Sequence, residues 1–459
     1  MIAGAEPLSL RGTLSASPRL AARHLWSAGA QLALADIAAG TALGAALPDL
    51  AGRAVLLRFA DPLYAAIALI ELDGVARRIV ICPPDLADDA LPGVIEVAGV
   101  EAIVSEMAGI ETHGLTHAPL TLPVRPLAAT PEATRQTEWV MFTSGTSGPP
   151  KMVAHTLAGL TGAIKPAPAG AAPPVWGTFY DIRRYGGLQI LLRALLGEGS
   201  MAMTQPGEPM ADFLNRLAHH GVTHLTGTPS HWRRVLMSRE SAALSPAYVR
   251  LSGEIADQPV LDALKTRFAG VPIGHAYAST EAGVGFEVND GLAGFPASFV
   301  GRPGEVEIRI EDGSLRLRST RAASGYLNPG AEALAGDDGF VDTGDMVERR
   351  GDRYHFVGRR NGVINVGGLK VHPEEIEAVI NRHPAVRMSR VRSRRNPITG
   401  AIVVAEVVLT DTAADPATVK AEILDACRRE LAPFKVPAML GFTPALALTA
   451  GGKLERAFA

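Results

Sequence analysis

A loop rich in glycine and hydroxyl residues follows the apolar run Trp139–Phe142 and ends in a lysine. Its residues are Thr143, Ser144, Gly145, Thr146, Ser147, Gly148, Pro149, Pro150 and Lys151. Glycines let successive backbone N–H groups converge on one anion, and the hydroxyls add further donors. Lys151 adds a mobile charge suited to a phosphate chain, although the two prolines before it depart from a Walker A loop. The loop therefore predicts a phosphate site, with a solvated Gly/Ser turn as the alternative interpretation.

Four more motifs follow in the sequence. They are Tyr277-Ala278-Ser279-Thr280-Glu281, Asp342-Thr343-Gly344-Asp345, the run from Gly358-Arg359 through Gly367-Gly368 to Glu377, and Gly452-Lys453-Leu454-Glu455-Arg456. Together with the glycine-rich loop, and in this order, they resemble the signature motifs of the ANL superfamily of adenylating enzymes. That superfamily includes acyl-CoA synthetases, the adenylation domains of peptide synthetases and firefly-type luciferases. The match extends from about Leu50 to Arg456, with Ala278 where glycine is usual.

The resemblance implies a nucleotide site that binds ATP. Thr280 and Glu281 would hold Mg²⁺ and the phosphates, since this hard cation prefers hydroxyl and carboxylate oxygens. Tyr277 would pack against adenine, or would alternatively be ordinary core packing. The other adenine wall would be formed by Gly253, Glu254 and Ile255. Asp345 would accept hydrogen bonds from both ribose hydroxyls, and Arg359 would reach the ribose or the α-phosphate.

Lys453 is the predicted catalytic residue of the first step. A carboxylate that attacks the α-phosphorus brings two anions together, and a bridging lysine offsets their repulsion. The alternative is an ordinary lysine in a frayed terminal segment. The resemblance also implies a rotating C-terminal domain, which presents Lys453 first and the Gly367-Gly368 strand afterwards. Asn361-Gly362 suits the hinge, because these residues tolerate unusual backbone torsions.

The reaction implied by the resemblance is activation of a carboxylic acid to an acyl-adenylate, then acyl transfer to the thiol of CoA. The acid pocket is expected between residues 178–187, 227–232 and 274–282, where the polar and aromatic candidates are Tyr180, Asp181, Tyr185, His231, Trp232 and His275. Asp181 would bind a substrate amine or, as we favour, pair with an arginine. Candidate CoA-binding cations are Arg183, Arg184, Arg233 and Arg234. Two alternatives stay open: a freestanding enzyme that loads an acyl or amino-acid-type substrate onto a carrier protein, and a non-catalytic nucleotide-binding relative.

The elements around these motifs predict an α/β fold. Two apolar runs, Ala54–Phe59 and Ile79–Cys82, flank a helix over Pro62–Leu72, and this β-α-β order predicts a parallel sheet. The segment Ala118–Pro131 is predicted to be a linker or loop. We expect a large N-terminal domain of layered α/β subdomains with mixed sheets over residues 1–360. A small mobile α+β C-terminal domain is expected over residues 361–459.

Composition excludes several other classes. The 459 residues include 44 basic and 47 acidic side chains, so the charge balance offers no footprint for nucleic acid. Cys82 and Cys427 form neither a disulfide framework nor a C-x-x-C metal pattern. The apolar run Leu63–Ile70 is too short to span a membrane. Met1–Gly12 lacks the pattern of a signal peptide, so a cytoplasmic location is expected.

Overall fold

A computed structural model describes residues 9–106, 110–127, 129, 131, 133–143, 150–165, 170–396, 400–410, 415–449 and 453–455. Its α-helices in chain order are α1 (Leu10–Ser15), α2 (Leu34–Ala39), α3 (Pro62–Leu72), α4 (Leu91–Ala98), α5 (Leu157–Thr161), α6 (Tyr185–Leu196), α7 (Met210–His219), α8 (Pro229–Met237), α9 (Gln258–Arg267), α10 (Pro373–Ile380) and α11 (Pro416–Glu430). Among the helices in these ranges, none combines the length and the hydropathy that crossing a membrane requires.

The strands of the first half are β1 (His24–Trp26), β2 (Gln31–Ala33), β3 (Gly40–Thr41), β4 (Ala54–Leu57), β5 (Arg78–Ile81), β6 (Ala102–Ser105), β7 (Thr116–Pro119), β8 (Arg125–Pro126), β9 (Glu138–Thr143), β10 (Lys151–Thr156), β11 (Val175–Thr178), β12 (Ser200–Met203) and β13 (His224–Gly227). Those of the second half are β14 (Tyr248–Ser252), β15 (Ile273–Ser279), β16 (Gly283–Val288), β17 (Phe295–Pro296), β18 (Val306–Glu311), β19 (Ser314–Ser319), β20 (Gly325–Tyr326), β21 (Val341–Arg350), β22 (Arg353–Arg359), β23 (Ile364–Val366), β24 (Leu369–Val371), β25 (Val386–Asn396), β26 (Gly400–Leu409) and β27 (Met439–Phe442).

A seven-stranded sheet in the order β20-β10-β9-β5-β4-β6-β7 carries the base of the glycine-rich loop. Its inner strand β4 is buried along its whole length and pairs in parallel with β5 and β6. Helix α3 connects β4 to β5 and begins as predicted, with Pro62 in its first turn and Asp61 accepting a hydrogen bond from the Leu63 N–H. The predicted β-α-β unit is therefore present.

An eight-stranded sheet in the order β16-β15-β14-β13-β11-β12-β1-β2 lies beside it. Strands β11 to β15 run parallel, so their carboxyl ends meet at one edge of the sheet. On β14, Val249 and Leu251 point into an apolar core with Trp232, while Arg250 and Ser252 alternate to the other face. The carboxyl ends of these strands, and the sheet face that carries Arg250 and Ser252, position most of the functional candidates.

The last hundred residues build a separate apolar core around Ile376, Val391, Val403, Val419 and Ile423. Strands β25, β26 and β27 form its sheet, and helices α10 and α11 pack against each other beside it. The N-cap of α11 is Asp415, which accepts a hydrogen bond from the Thr418 N–H at 3.0 Å. The predicted fold class is confirmed: the molecule is α/β with several mixed sheets and a small C-terminal α+β unit.

The prediction of a linker over Ala118–Pro131 is wrong in part. Residues Thr116–Pro119 form β7, which extends the seven-stranded sheet by pairing in parallel with β6. Arg125–Pro126 form β8, which pairs with β3. The prolines in this segment are compatible with strands because β7 lies at the sheet edge and β8 belongs to a two-stranded pair.

Candidate active site

The base of the glycine-rich loop is held by a β-hairpin. Strands β9 and β10 are antiparallel and place Thr143 directly opposite Lys151. Asn328 fastens the second strand, since its Nδ2 donates to the Pro150 carbonyl at 3.0 Å and its Oδ1 accepts from the Met152 N–H at 2.7 Å. The Lys151 ammonium lies 5.5 Å from the centre of the Tyr326 ring. Residues 144–149, which include the predicted Ser144, Gly145, Thr146, Ser147 and Gly148, lie outside the described residues.

Tyr277, Asp345 and Arg359 are brought together from three motifs that are far apart in sequence. The Tyr277 hydroxyl donates to Asp345 Oδ2 at 2.5 Å, and Arg359 Nε donates to Asp345 Oδ1 at 2.9 Å. Burial and the neighbouring Asp345 carboxylate raise the pKa of Tyr277 well above 10, which keeps its phenol protonated as a donor. The charge of Asp345 likewise raises the pKa of Arg359. The carboxylate keeps free lone pairs for further donors.

The Tyr277 ring lies in an aromatic cluster at the junction of two sheets. It stacks on Phe286 of β16 at 5.6 Å and on Phe356 of β22 at 5.3 Å between ring centres. The residues after it end strand β15, where Ser279 Oγ accepts from the Ala282 N–H at 2.9 Å. Ala278, Thr280 and Glu281 are half-buried there. These packing contacts fix the tyrosine ring before any ligand binds.

Lys453 reaches this same region from the C-terminal unit. Its Cε lies 3.5 Å from the position that a Cβ on Gly253 would occupy. Gly253 has a φ of +85°, a conformation that favours glycine. Lys453 is exposed to solvent along part of its side chain. Desolvation by the surrounding protein nevertheless lowers the pKa of its ammonium, and the charge of Arg359 lowers this pKa further. Glu254 and Asp345 oppose this shift, so three residues of the predicted site act electrostatically on one ammonium.

The carboxylate of Glu254 attaches the lysine segment to the large unit. Its Oε1 accepts from the Leu454 N–H at 2.9 Å and from the Ser230 hydroxyl at 3.0 Å. Its Oε2 accepts from the Ser230 N–H at 2.9 Å in the first turn of α8. The sequence assigned Glu254 only to an adenine wall and did not identify Ser230. This anchoring depends on a contact between residues 200 positions apart, for which the sequence carries no local signal.

Gly367 and Gly368 do not lie in this cluster. They form the turn between β23 and β24 with φ values of +57° and +85°, and nothing lies within 4 Å of a Cβ placed on either. Ile255, from the expected adenine wall, is half-buried just after β14. Three other motif residues, Gly451, Gly452 and Arg456, lie outside the described residues.

The expectation that Asp181 pairs with an arginine is confirmed. Arg183 Nη2 donates to Asp181 Oδ2 at 2.6 Å and Arg183 Nε to Oδ1 at 2.8 Å, with both side chains buried. Arg183 is therefore unavailable as a CoA-binding cation, contrary to the prediction. Arg184 pairs with Asp85, and Arg233 pairs with Asp257 at 2.5 Å. Arg234 is exposed on α8.

Three of the predicted pocket residues have structural roles. His231 accepts at Nδ1 from the Thr228 N–H in a capping box of α8, and burial lowers its pKa to about 3. Trp232 is fully buried and donates to the Arg250 carbonyl at 3.2 Å. His275 contacts the Leu292 carbonyl through Nε2 at 3.0 Å. Helix capping and core packing thus use residue types that would also suit a binding pocket.

Side chains from four separate motifs, Tyr277, Asp345, Arg359 and Lys453, thus meet in a two-part α/β fold, an arrangement that suits a nucleotide-binding class of enzyme. The family model described as AMP-binding enzyme matches residues 64–327, and the AMP-binding enzyme C-terminal domain matches residues 375–453. The chain therefore belongs to the AMP-binding enzymes of the ANL superfamily.

Relatives agree with this assignment. The human mitochondrial acyl-coenzyme A synthetase ACSM5 is 29% identical over 346 residues, which cover 69% of this chain and 59% of that protein. The 2-succinylbenzoate–CoA ligase of Salmonella typhimurium is 26% identical over 410 residues, covering 88% and 86%. The Bacillus subtilis o-succinylbenzoate CoA synthetase, solved with its acyl-adenylate OSB-AMP, has a TM-score of 0.72 at 19% identity, covering 98% and 97%. The chain thus spans about three-fifths of the mitochondrial synthetases that it matches.

Proposed function

We propose that this enzyme activates a carboxylic acid with ATP and then transfers the acyl group to the thiol of CoA. In the first step a carboxylate oxygen attacks the α-phosphorus, the bond to the β-phosphate breaks, and pyrophosphate leaves. In the second step the thiol sulfur attacks the acyl carbonyl carbon, the thiol proton is released, and AMP leaves. The observation that carries this proposal is the position of Lys453 against Gly253, in the same cluster as Asp345 and Arg359.

The chemistry of each residue supports its role. Asp345 is an acceptor with lone pairs left after its bonds to Tyr277 and Arg359, which suits two ribose hydroxyls. Lys453 supplies a positive charge where the carboxylate and the α-phosphate approach each other, and this charge offsets their repulsion. Lys151 stands at the end of the loop hairpin as a cation for the outer phosphates.

Mg²⁺ is the cofactor that the family implies. Thr280 and Glu281 offer a hydroxyl and a carboxylate oxygen next to each other, which is the donor chemistry that Mg²⁺ prefers. Within the described ranges no set of three or more His, Cys, Asp and Glu side chains forms a metal cage. This fits an ion that is held largely by phosphate oxygens and water, as Mg²⁺ commonly is. When bound, the ion would neutralise phosphate charge.

A rotation of the C-terminal domain, residues 361–459, about the hinge accounts for two half-reactions at one site. In the present arrangement the Lys453 face meets the large domain, which suits acid activation. The Gly367-Gly368 strand would face the site after rotation. Residues Arg360–Gly362 form a short 3₁₀ turn with no strand pairing to break, which suits a hinge there.

Pyrophosphate release with ATP and a panel of acids, with and without CoA, tests the proposal. Release that CoA stimulates, together with a thioester product, is the expected result. Accumulation of acyl-adenylate without use of CoA would instead favour a carrier-protein loader, and no release with any acid would favour a nucleotide-binding module. A cytoplasmic location stays a prediction.

A further inference from the structure

A cluster of buried charges lies beneath helix α6, on the face of the eight-stranded sheet opposite the Trp232 core. Arg250 Nη1 lies 2.6 Å from Glu287 Oε1, and Arg193 Nη2 lies 3.5 Å from the same oxygen. The two arginine side chains are only 8% and 14% exposed. Two guanidinium groups thus share one carboxylate, which leaves one positive charge in excess.

The other groups that act on Arg193 do not supply the missing negative charge. Tyr185 and Tyr248 also act on Arg193, but burial raises the pKa of both phenols, so they are neutral. Burial and the like charge of Arg250 lower the pKa of Arg193 to about 10. Its Nε is buried and makes no hydrogen bond within the described part of the chain. A buried, uncompensated cation is costly, so this arrangement favours an anionic ligand.

The sheet face that carries the cluster continues to the site where the acid would react. Arg250 and Ser252 share the α6-facing side of β14, and Ala276 is the small residue next to Ser252 on β15. Ala276 is also the partner of Glu287 across β15 and β16. The sheet surface between Glu287 and Ser252 therefore carries a methyl group and no larger side chain.

Tyr180 lies near both Arg250 and the Ser252-Gly253 end of strand β14. Its hydroxyl donates to the Ser252 carbonyl at 2.9 Å, and both Arg250 and Glu254 act electrostatically on it. Ser252 precedes Gly253, against which Lys453 packs. At about 3.3 Å per residue of strand, Arg250 lies roughly 10 Å from Gly253, which is the length of a short acid.

We propose that the acid substrate carries a second carboxylate at its far end, which Arg193 and Arg250 bind while the first carboxylate meets Lys453. The enzyme would then make the monothioester of a dicarboxylic acid. This inference rests on the proposed acid-activating function and names the substrate class of that same site. The class of reaction that supplies the substrate must therefore leave two free carboxylates on one small molecule.

A panel of unbranched dicarboxylic acids, their monomethyl esters and length-matched monocarboxylic acids tests this substrate class. The readout is kcat/KM for ATP-dependent pyrophosphate release. We expect one diacid length to exceed its monoester by about 10- to 100-fold, the value of a charge-assisted hydrogen bond. Equal kcat/KM for every diacid and its monoester would overturn the inference and leave the proposed function standing. No release with any acid would instead defeat the proposed function.

Substitutions of Arg193 and Glu287 test whether these residues cause the diacid preference. Arg193→Gln should remove most of the diacid preference, mainly through a higher KM for the preferred diacid. Glu287→Gln should increase the diacid preference, because it increases the excess positive charge of the cluster. Arg216→Gln is the matched control, since Arg216 of α7 forms a comparable buried pair with Glu208 outside this cluster. An unchanged diacid preference in both Arg193→Gln and Glu287→Gln would refute the assignment to these residues.

If Arg193→Gln does not fold, the wild-type panel and Glu287→Gln still decide the question. The thermal midpoint offers a second readout, because at a given concentration an anion that binds more tightly stabilises the folded state more. The preferred diacid alone, without ATP, should raise the midpoint of the wild type more than its monoester does. An equal effect of the two compounds would count against the inference.

Discussion

Replacing Glu254 with alanine is expected to slow acid activation while sparing thioester formation. The Glu254 carboxylate accepts the Leu454 N–H at 2.9 Å, next to the predicted catalytic lysine, and two further hydrogen bonds from Ser230. Without the carboxylate, the lysine segment loses this attachment to the large domain. The Lys453 ammonium would then occupy its position against Gly253 for a smaller fraction of the time.

The size of the expected rate loss follows from the hydrogen bond between the Leu454 N–H and the charged Glu254 carboxylate. Such a bond contributes about 1.5–3 kcal/mol, and the half-buried position of Glu254 favours the lower end of that range. A loss of about 1.5 kcal/mol corresponds to a roughly tenfold slower step. Glu254→Gln keeps a neutral acceptor for the Leu454 N–H, so its effect should be only a few-fold.

Two assays separate the half-reactions. Pyrophosphate release with ATP and acid reports the first, and thioester formation from preformed acyl-adenylate and CoA reports the second. Glu348→Ala is a matched control, because Glu348 lies exposed on β21 and pairs with Arg350. The reasoning is refuted if Glu254→Ala slows both half-reactions by the same factor, or if it leaves pyrophosphate release unchanged.

Three further predictions concern the same cluster. Lys453→Ala should abolish pyrophosphate release yet spare thioester formation from preformed acyl-adenylate; equal loss of both would contradict the assignment. Because crowding and Arg359 lower the Lys453 pKa, pyrophosphate release should fall as pH rises through a value below 10.5, and Lys453→Arg should move this decline to higher pH. Tyr277→Phe removes the 2.5 Å hydrogen bond to Asp345 and should raise the KM for ATP about three- to tenfold, since such a bond contributes about 0.5–1.5 kcal/mol. An unchanged KM for the acid serves as its control.

Local signals predicted the elements well. The helix over Pro62–Leu72 has the bounds that its proline and its apolar run indicated, and the two apolar runs that flank it form strands β4 and β5. Each of these features is determined by residues a few positions apart, which is the range over which a single sequence carries direct information.

Long-range contacts were harder to predict. The resemblance assigned Asp345 and Arg359 to one nucleotide site, and their side chains do meet, but the sequence alone gave no reason for Glu254 to contact Leu454. It also gave no reason to connect Arg193 with Arg250, because one lies on a helix and the other on a strand 57 positions later. The sequence assigned the acid pocket to polar and aromatic residues of three segments, and the buried charges of Arg193, Arg250 and Glu287 lie outside those segments.

The lysine segment is attached in a way that suits the proposed rotation of the C-terminal domain. Within its own domain, Leu454 forms a bridge with Leu448, the Glu455 N–H donates to the Ala447 carbonyl, and Arg390 donates to the Glu455 carbonyl. These bonds move with the domain and need not break. Attachment to the large domain runs through the carboxylate of Glu254, a bond of only a few kcal/mol that water can replace. A much stronger attachment would hold Lys453 in place after the adenylate forms and would slow the second half-reaction.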